Sequence, residues 1–269
     1  MKSELGHLDI PEEIWKKLKR LLPKNTNDGS KGGRPRLDDR KAMAAIFYRV
    51  RTGVQWRYIP PMFGSKSTLH RRFQEWVEAG VFEKIEKEAL ELYERVVKIR
   101  TQRMAADGSF SRAPKGGPFA GPNPTDRGKR GIKRHILIDR RGAPVAFVIG
   151  PAGTHDSKLI FPTLNKFKVR RDNQYLKPKI LSLDKAYSSR AIRDGLNRKS
   201  IQYRIPNKTN SKNPEYFTPL KPFRWTVERT FAWLNAFRAI KTCWESKKKN
   251  YVALMQLTCA IILLRMTNR

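Results

Sequence analysis

Along the first hundred residues apolar positions recur three and four apart, and after Thr101 they gather into short unbroken runs, so the pattern predicts helices first and strands afterwards. "IPEEIWKKLKRLLP" (10–23) has Ile14, Leu18 and Leu21 or Leu22 on one side, opens on proline and acidic residues and stops at Pro23, which predicts a short amphipathic helix. "LDDRKAMAAIFYRVRTG" (37–53), "SKSTLHRRFQEWVEAG" (65–80) and "VFEKIEKEALELYERVVKIR" (81–100) carry acidic or serine starts and glycine stops. Three helices with short connections suit a helix-turn-helix-like bundle. Its middle helix (67–79) would turn Leu69, Phe73, Trp76 and Val77 inward.

Beyond Thr101, "RMAADGS", "RHILID", "APVAFVIG" and "PKILSLD" read as strands bounded by glycine, proline or aspartate, and the turn "DRRG" joins two of them as a hairpin. Helices are expected at 156–168, at 188–199 and from Phe223 to about Lys241. Strands first, then strand and helix in alternation, predict an α/β fold built on a mixed sheet. "VALMQLTCAIILLRM" (252–266) is too short for a comfortable membrane span and contains Gln256, so a buried helix is expected. Two stretches lack periodicity: the linker "KNTNDGSKGGRPR" (24–36) and the long loop "APKGGPFAGPNPTDRGKRGIKRH" (113–135). The chain thus divides into an N-terminal helix and linker (1–32), a helical region (33–100) and an α/β region (101–269).

Charge changes the picture most. With 57 Lys+Arg against 24 Asp+Glu the formal net charge is +33, which makes a polyanion the leading partner. A membrane surface is the weaker form of that idea, since neither a basic amphipathic helix nor a lipidation signal stands out. A hydrophobic content of 39% over 269 residues supports a real core rather than a disordered basic tail. No secretory leader is legible, so a cytoplasmic, nucleoid-associated protein is expected. Cys243 and Cys259 lie sixteen apart without a histidine pair nearby, which predicts neither a disulfide framework nor a zinc site.

Several basic groups are placed to meet phosphate. "GRPR" resembles the core of a minor-groove hook, with Arg34 and Arg36 along A·T-rich DNA; a solvated loop is the alternative. Lys66, His70 and Arg71, beside Gln74, face a groove if the bundle binds DNA, or solvent if it serves packing or dimerisation. Arg127, Lys129, Arg130, Lys133 and Arg134 stud the long loop.

Residues 1–106 carry 23 basic and 14 acidic groups, whereas residues 107–269 carry 34 and 10, so each carboxylate in the second part needs a reason. Cutting or joining a phosphodiester without an organic cofactor calls for two divalent ions about 4 Å apart. Asp107 and Asp184 fall at strand ends, where α/β sheets hold ligands, and Glu228 on the helix "RWTVERTFAWL" would complete a set. Taken singly, each has a plainer account: Asp107 starting a turn, Asp184 capping the helix near Ser188, Glu228 pairing with Arg224. Asp139 is explained by its place in "DRRG", and Asp156 in "GTHDSKLI" is an N-cap residue with a supporting role at the site open to it.

"ADGSF", "GPNPTDRGKRGIKRHILIDRRGAPVAFVI", "GTHDS", "SLDKAY" and "RWTVERTFAWLNAFR" together resemble the DDE transposases of bacterial insertion sequences, in particular the insertion-sequence-five family. The stretch from "GRPRLDDRKAM" to "LHRRFQEW" is similar to that family's N-terminal DNA-binding region, and the match runs in order over about residues 33–242. The resemblance implies a ribonuclease H-like catalytic domain, with Asp107, Asp184 and Glu228 as catalytic residues and ligands of two Mg²⁺ or Mn²⁺ ions. It also implies double-stranded DNA as partner, both terminal inverted repeats and target, and a homodimer that holds two ends together. Related transposases carry a tyrosine three residues before the arginine and a basic residue seven after the glutamate; here Lys221 and Asn235 stand there, while Arg224 matches. Arg238, expected on the Glu228 face of the same helix, is the candidate for the missing basic group, and Arg224, Arg229 and Arg238 are expected to meet DNA phosphate.

Three other functions remain open on the sequence. A recombinase acting through a hydroxyl would use Tyr187, which otherwise packs or steers DNA. A domesticated, non-catalytic DNA-binding protein would not need the carboxylates. A ribonuclease H-like nuclease would cut nucleic acid without joining ends.

Overall fold

The computed structural model describes residues 12–23, 36–206 and 224–268. The linker as far as Pro35, with its hook arginine Arg34, and Lys221 and the side chains of Ile14 and Arg224 lie outside the described residues.

Helix α1 (Glu12–Lys19) buries Trp15 and Leu18. Helix α2 (Asp39–Thr52) is capped by Asp38, which accepts from Lys41 N, and ends at Gly53 with φ 73°, the left-handed conformation that glycine adopts without strain. Helix α3 (Lys66–Glu78) starts at Ser65, whose hydroxyl accepts from Thr68 N, and α4 (Val81–Val96) follows after Ala79 and Gly80. The α3–α4 connection is short, as the sequence suggests. The α2–α3 connection is not: it runs through two single 3-10 turns, Trp56–Tyr58 and Pro61–Phe63, because prolines at 60 and 61 cannot continue a helix. A tight helix-turn-helix joint of about 3–4 residues is therefore absent between these two helices.

The sheet comprises β1 (Arg103–Arg112), β2 (Gly121–Pro122), β3 (Arg130–Ile138), β4 (Pro144–Pro151), β7 (Ile180–Ser182) and β8 (Gln202–Arg204); β5 (Arg170–Arg171) and β6 (Gln174–Tyr175) form a separate small hairpin. β1, β3 and β4 pair antiparallel, and β2 pairs with the start of β3. β1 then pairs parallel with β7, and β7 with β8, giving the order β4, β3, β1, β7, β8. This is the mixed α/β sheet flanked by helices that the ribonuclease H-like resemblance implies. Helices α5 (Ile160–Lys166) and α6 (Arg190–Arg198) link β4 to β7 and β7 to β8 in sequence, and α7 (Arg224–Asn235), α8 (Arg238–Lys241) and α9 (Lys248–Thr267) follow.

Two expectations need correction. β3 begins at Arg130, so Arg130, Lys133 and Arg134 lie in a strand and not in the long loop. The helix expected over 223–241 breaks at Ala236 and Phe237, where Phe237 takes extended backbone and α8 starts afresh.

Helix α9 explains how the two ends of the chain cooperate. It packs along α4, and its residues from Tyr251 to Leu264 are almost all buried, including Met255, Leu257, Ile261 and Leu263. By composition this helix is long and apolar enough to cross a membrane, yet most of its surface is inside the fold. One continuous apolar core runs from Trp15 through the sheet to Leu264, and burial of this kind contributes about 25 cal/mol per Å².

Candidate active site

Strand alternation sorts the polar residues of the sheet onto two faces. In the β1–β3 register Asp107 faces Ile136, Gly108 faces His135 and Ser109 faces Arg134, so Asp107, Ser109 and Arg134 point to one side and Gly108, Lys133 and His135 to the other. The first side is the one α7 covers. Arg134 Nη2 donates to Asn235 Oδ1 at 3.0 Å, and its guanidinium lies 5.8 Å from the Phe231 ring. Farther up α7, Arg229 Nη2 donates to Arg141 O and Thr230 Oγ1 to Gly142 O, both at 2.8 Å, which fixes the helix to the β3–β4 turn. Glu228 lies on the exposed flank of this helix.

Asp107 is not at a strand end as expected; β1 continues to Arg112. What ends there is its neighbour. The β1–β7 ladder stops at Ala105 and Ser182, and two residues further on each strand stand Asp107 and Asp184. Asp107 Oδ1 accepts from Gly108 N at 2.8 Å, and Asp184 Oδ1 accepts from Lys185 N as it starts a 3-10 turn, Lys185–Tyr187. Helix α6 is capped by Ser189 instead, which leaves Asp184 at the strand edge.

The opposite face holds a second constellation. Lys133, buried, places Nζ 3.1 Å from the Asp156 carboxylate and 4.7 Å from the Phe110 ring. Asp156 in turn lies against Gly108: a Cβ there would come within 1.9 Å of Asp156 Oδ1. Beside them Tyr187 Oη and His135 Nε2 are 2.8 Å apart, and His135 Nδ1 is 2.7 Å from Thr163 Oγ1. Burial pushes the Tyr187 hydroxyl well above its ordinary range, and the charges of Asp107, Asp156 and Asp184 push the same way, so three carboxylates converge electrostatically on this hydroxyl. Burial holds His135 neutral, lowering it to about 3, with Lys133 adding to the effect. No feature of the sequence pointed to His135; "KRHILID" reads only as a strand with a polar start.

The expected phosphate contacts separate into two groups. Lys66, His70 and Arg71 are exposed along α3, with His70 5.3 Å from Trp56 and Arg71 3.8 Å from Glu75, which also pairs with Arg36 at 2.6 Å. Arg127 and Lys129 are exposed before β3, and Arg130 spends one nitrogen on Gly117 O and Ala120 O. Lys133 and Arg134 are corrected: both are buried, the first by its ion pair with Asp156 and the second by Ser109, Phe110 and Asn235, so neither head group reaches the surface. Arg229 is half-buried, its guanidinium 4.4 Å from the Trp225 ring and 5.0 Å from the Trp233 ring. Arg238 is exposed but on α8, its Cβ close to where one would stand on Gly53 at the end of α2, so it does not extend the Glu228 face.

The donor chemistry fits a hard divalent cation in part. Mg²⁺ keeps several waters and is commonly held by one or two carboxylates together with substrate phosphates, which Asp107 and Asp184 could supply with DNA present. Among the described residues no group of three or more His, Cys, Asp or Glu side chains is close enough to hold a metal ion.

Comparison with known proteins adds a family to this geometry. A model described as "Transposase DDE domain" matches residues 99–263, and one described as "Putative transposase of IS4/5 family" matches residues 10–86. The "Putative transposase for insertion sequence element IS402" of Burkholderia cepacia is 31% identical over 150 residues, which are 55% of this chain and 69% of that protein. A second Burkholderia cepacia protein, the "Insertion element IS402 uncharacterized 16.2 kDa protein", is 31% identical over 118 residues, 43% of this chain and 80% of its own. Among solved structures the catalytic domain of the Mos1 mariner transposase matches with 10% identity over 70% of this chain and 94% of that one, at a TM-score of 0.29, too low to argue from.

Proposed function

Since the chain belongs to the family of transposases with a DDE domain, we propose that it mobilises an insertion sequence by cutting DNA at the element's ends and joining them to target DNA. Support comes from the pairing of Asp107 with Asp184 at the open edge between β1 and β7, on the face that the Glu228 helix covers. Asp107, Asp184 and Glu228 are the groups that would hold Mg²⁺ or Mn²⁺. Bound there, two such ions would lower the pKa of an attacking water or 3′-hydroxyl and offset charge on the leaving oxygen.

The chain's own part is to bind, orient and shield. Exposed basic groups on α3 and before β3 bind the terminal inverted repeat and the flanking phosphates, and a homodimer holds two ends together. Asp107 and Asp184, fixed by backbone donors, hold the scissile phosphodiester's partners at one strand edge. No side chain needs to form a covalent bond to DNA: the candidate hydroxyl, Tyr187, is buried and already hydrogen-bonded, which counts against the recombinase that would attack through it.

A non-catalytic DNA-binding protein is the second reading, consistent with the described residues holding no group of three or more His, Cys, Asp or Glu side chains close enough for a metal ion. One experiment separates the two. Purified protein, Mg²⁺ and DNA spanning the element boundaries are incubated, and nicks at the boundaries and joined products are scored for wild type and Glu228→Gln. Nicks from the wild type alone support the catalytic proposal; equal nicking removes Glu228 from the site, and no nicking by either favours the second reading.

A further inference from the structure

Among the polar groups that the proposed chemistry leaves unused, the chain Tyr187, His135 and Thr163 is fully buried, with 0% exposure for all three. Its hydrogens can run only one way. Thr163 Oγ1 donates to Leu159 O at 2.8 Å, so it accepts from His135 Nδ1–H at 2.7 Å. His135 Nε2 then carries a lone pair, and Tyr187 O–H donates to it at 2.8 Å. Three polar side chains in a core fix orientation in a way that apolar groups of the same size do not.

His135 and Tyr187 reach the two aspartates through neighbouring backbone, one from β3 beside β1 and the other from the turn that follows β7. His135 lies in β3 opposite Gly108, the residue after Asp107. Tyr187 N–H donates to Asp184 O at 3.0 Å and closes the turn that Asp184 begins. The ladder between β1 and β7 has ended at Ala105 and Ser182, so the backbone at Asp184 is no longer aligned to β1 by strand pairing. The Tyr187–His135 bond spans that gap from the opposite face of the sheet.

We propose that Tyr187 and His135 are positioning residues which set the place of Asp184 relative to Asp107, and with it the affinity of the aspartate pair for a divalent cation. The proposal rests on the reading that this pair binds a cation. Neither side chain touches the ion; each acts through the backbone that presents Asp184.

The test measures binding of Mn²⁺ alone to the full chain without DNA, by the electron paramagnetic resonance signal of free Mn²⁺, together with each variant's melting temperature. Tyr187→Phe, which removes one oxygen, and His135→Leu are expected to weaken Mn²⁺ binding roughly tenfold, the lower end of what losing a supporting partner costs. His135→Gln, whose amide can donate to Thr163 and accept from Tyr187, is expected to recover most of the loss, and Asp184→Asn to abolish binding. Unchanged Mn²⁺ affinity in Tyr187→Phe, with or without a lower melting temperature, overturns the proposal while Asp184→Asn shows the cation reading to stand. A His135→Gln protein no better than His135→Leu overturns it as well. Wild-type affinity in Asp184→Asn removes the cation reading itself. Should His135→Leu not fold, Tyr187→Phe and His135→Gln carry the comparison.

Discussion

Asp107 and Asp184 stand at matching places on adjacent parallel strands, two residues beyond the last ladder pair, Ala105 and Ser182. Each accepts from the backbone N–H of the next residue, a bond that holds the carboxylate in place against the repulsion of the other.

Neutralising either aspartate while keeping its shape isolates that role. Asp107→Asn and Asp184→Asn are expected to lower end cleavage by more than about a hundredfold, beyond the loss of a mere supporting partner. Their melting temperatures should stay near wild type, because the asparagine oxygen still accepts from the same N–H. Cleavage assays beside thermal melts check this; activity within tenfold of wild type would exclude the residue as a ligand.

Arg134 and Arg49 are both buried arginines with opposite surroundings. Arg49 Nη2 lies 2.5 Å from Glu245 Oε1, deep in the fold, and Glu245 also accepts from Asn250. Among the described residues Arg134 has no carboxylate beside it: Nη2 serves Ser109, Phe110 O and Asn235, and in both arginines Nε and Nη1 are buried without hydrogen-bond partners. Removing one member of a buried pair strands the other charge and costs about 3–5 kcal/mol, whereas removing a buried charge that has no opposite charge beside it relieves its burial cost and loses only its hydrogen bonds. Urea unfolding should therefore place Arg49→Met about 3–5 kcal/mol below wild type and Arg134→Met nearer to it. Equal losses would mean that Arg134's hydrogen bonds outweigh the burial of its charge.

One buried and one half-buried group give the stability a pH dependence of opposite signs. Burial lowers His135 from 6.5 to about 3, so the unfolded chain takes up a proton that the folded one refuses; this stability is complete above pH 6.5 and lost as pH falls toward 3. Burial raises Glu86 from 4.5 to about 7, so the folded chain takes up its proton first, and stability is gained as pH falls from 7 to 4.5. From 6.5 to 4.5 the two oppose each other, and below 4.5 His135 acts without that offset, at about 1.4 kcal/mol per pH unit. Urea unfolding across pH should show His135→Gln gaining on wild type as pH drops below 6.5. Glu86→Gln should be the more stable protein above pH 7 and lose that advantage by 4.5. A constant difference in either comparison would place the titrating group elsewhere.

Much of this fold is legible from periodicity: α2, α3 and α4, the strand "RMAADGS" and the buried helix α9 appear within a few residues of where the pattern puts them. The start of β3 is hidden because Arg130, Lys133 and Arg134 interrupt the apolar run, although two of the three are buried by partners from other elements. β8, "QYR", is three residues long and polar, and its pairing with β7 gives it its identity as a strand. The break at Ala236 and Phe237 has neither glycine nor proline to mark it. At the candidate site Asp184 is readable from its strand end, whereas Asp107 stands mid-strand and is singled out only by the carboxylate-poor second half. His135 is not, since its partners Thr163 and Tyr187 are 28 and 52 residues away.

Gly108 is the place where the two faces of the site meet, and it gives the sharpest steric prediction. Its missing side chain leaves room for the Asp156 carboxylate, which a Cβ would approach to 1.9 Å from Oδ1, so in Gly108→Ala that carboxylate must move. Asp156 is held by Lys133, itself buried over the Phe110 ring, and moving one disturbs the other. Overpacking of this kind costs about 1–3 kcal/mol, and because Gly108 N donates to Asp107 Oδ1, end cleavage should fall with stability. Asp156→Ala alone strands a buried lysine and should also destabilise the fold. Combined, the two changes relieve the clash, so Gly108→Ala with Asp156→Ala should lose less than the sum of the single losses, by about 1 kcal/mol or more. A double-mutant cycle in urea measures this directly, and strict additivity would show that Asp156 does not occupy the space above Gly108.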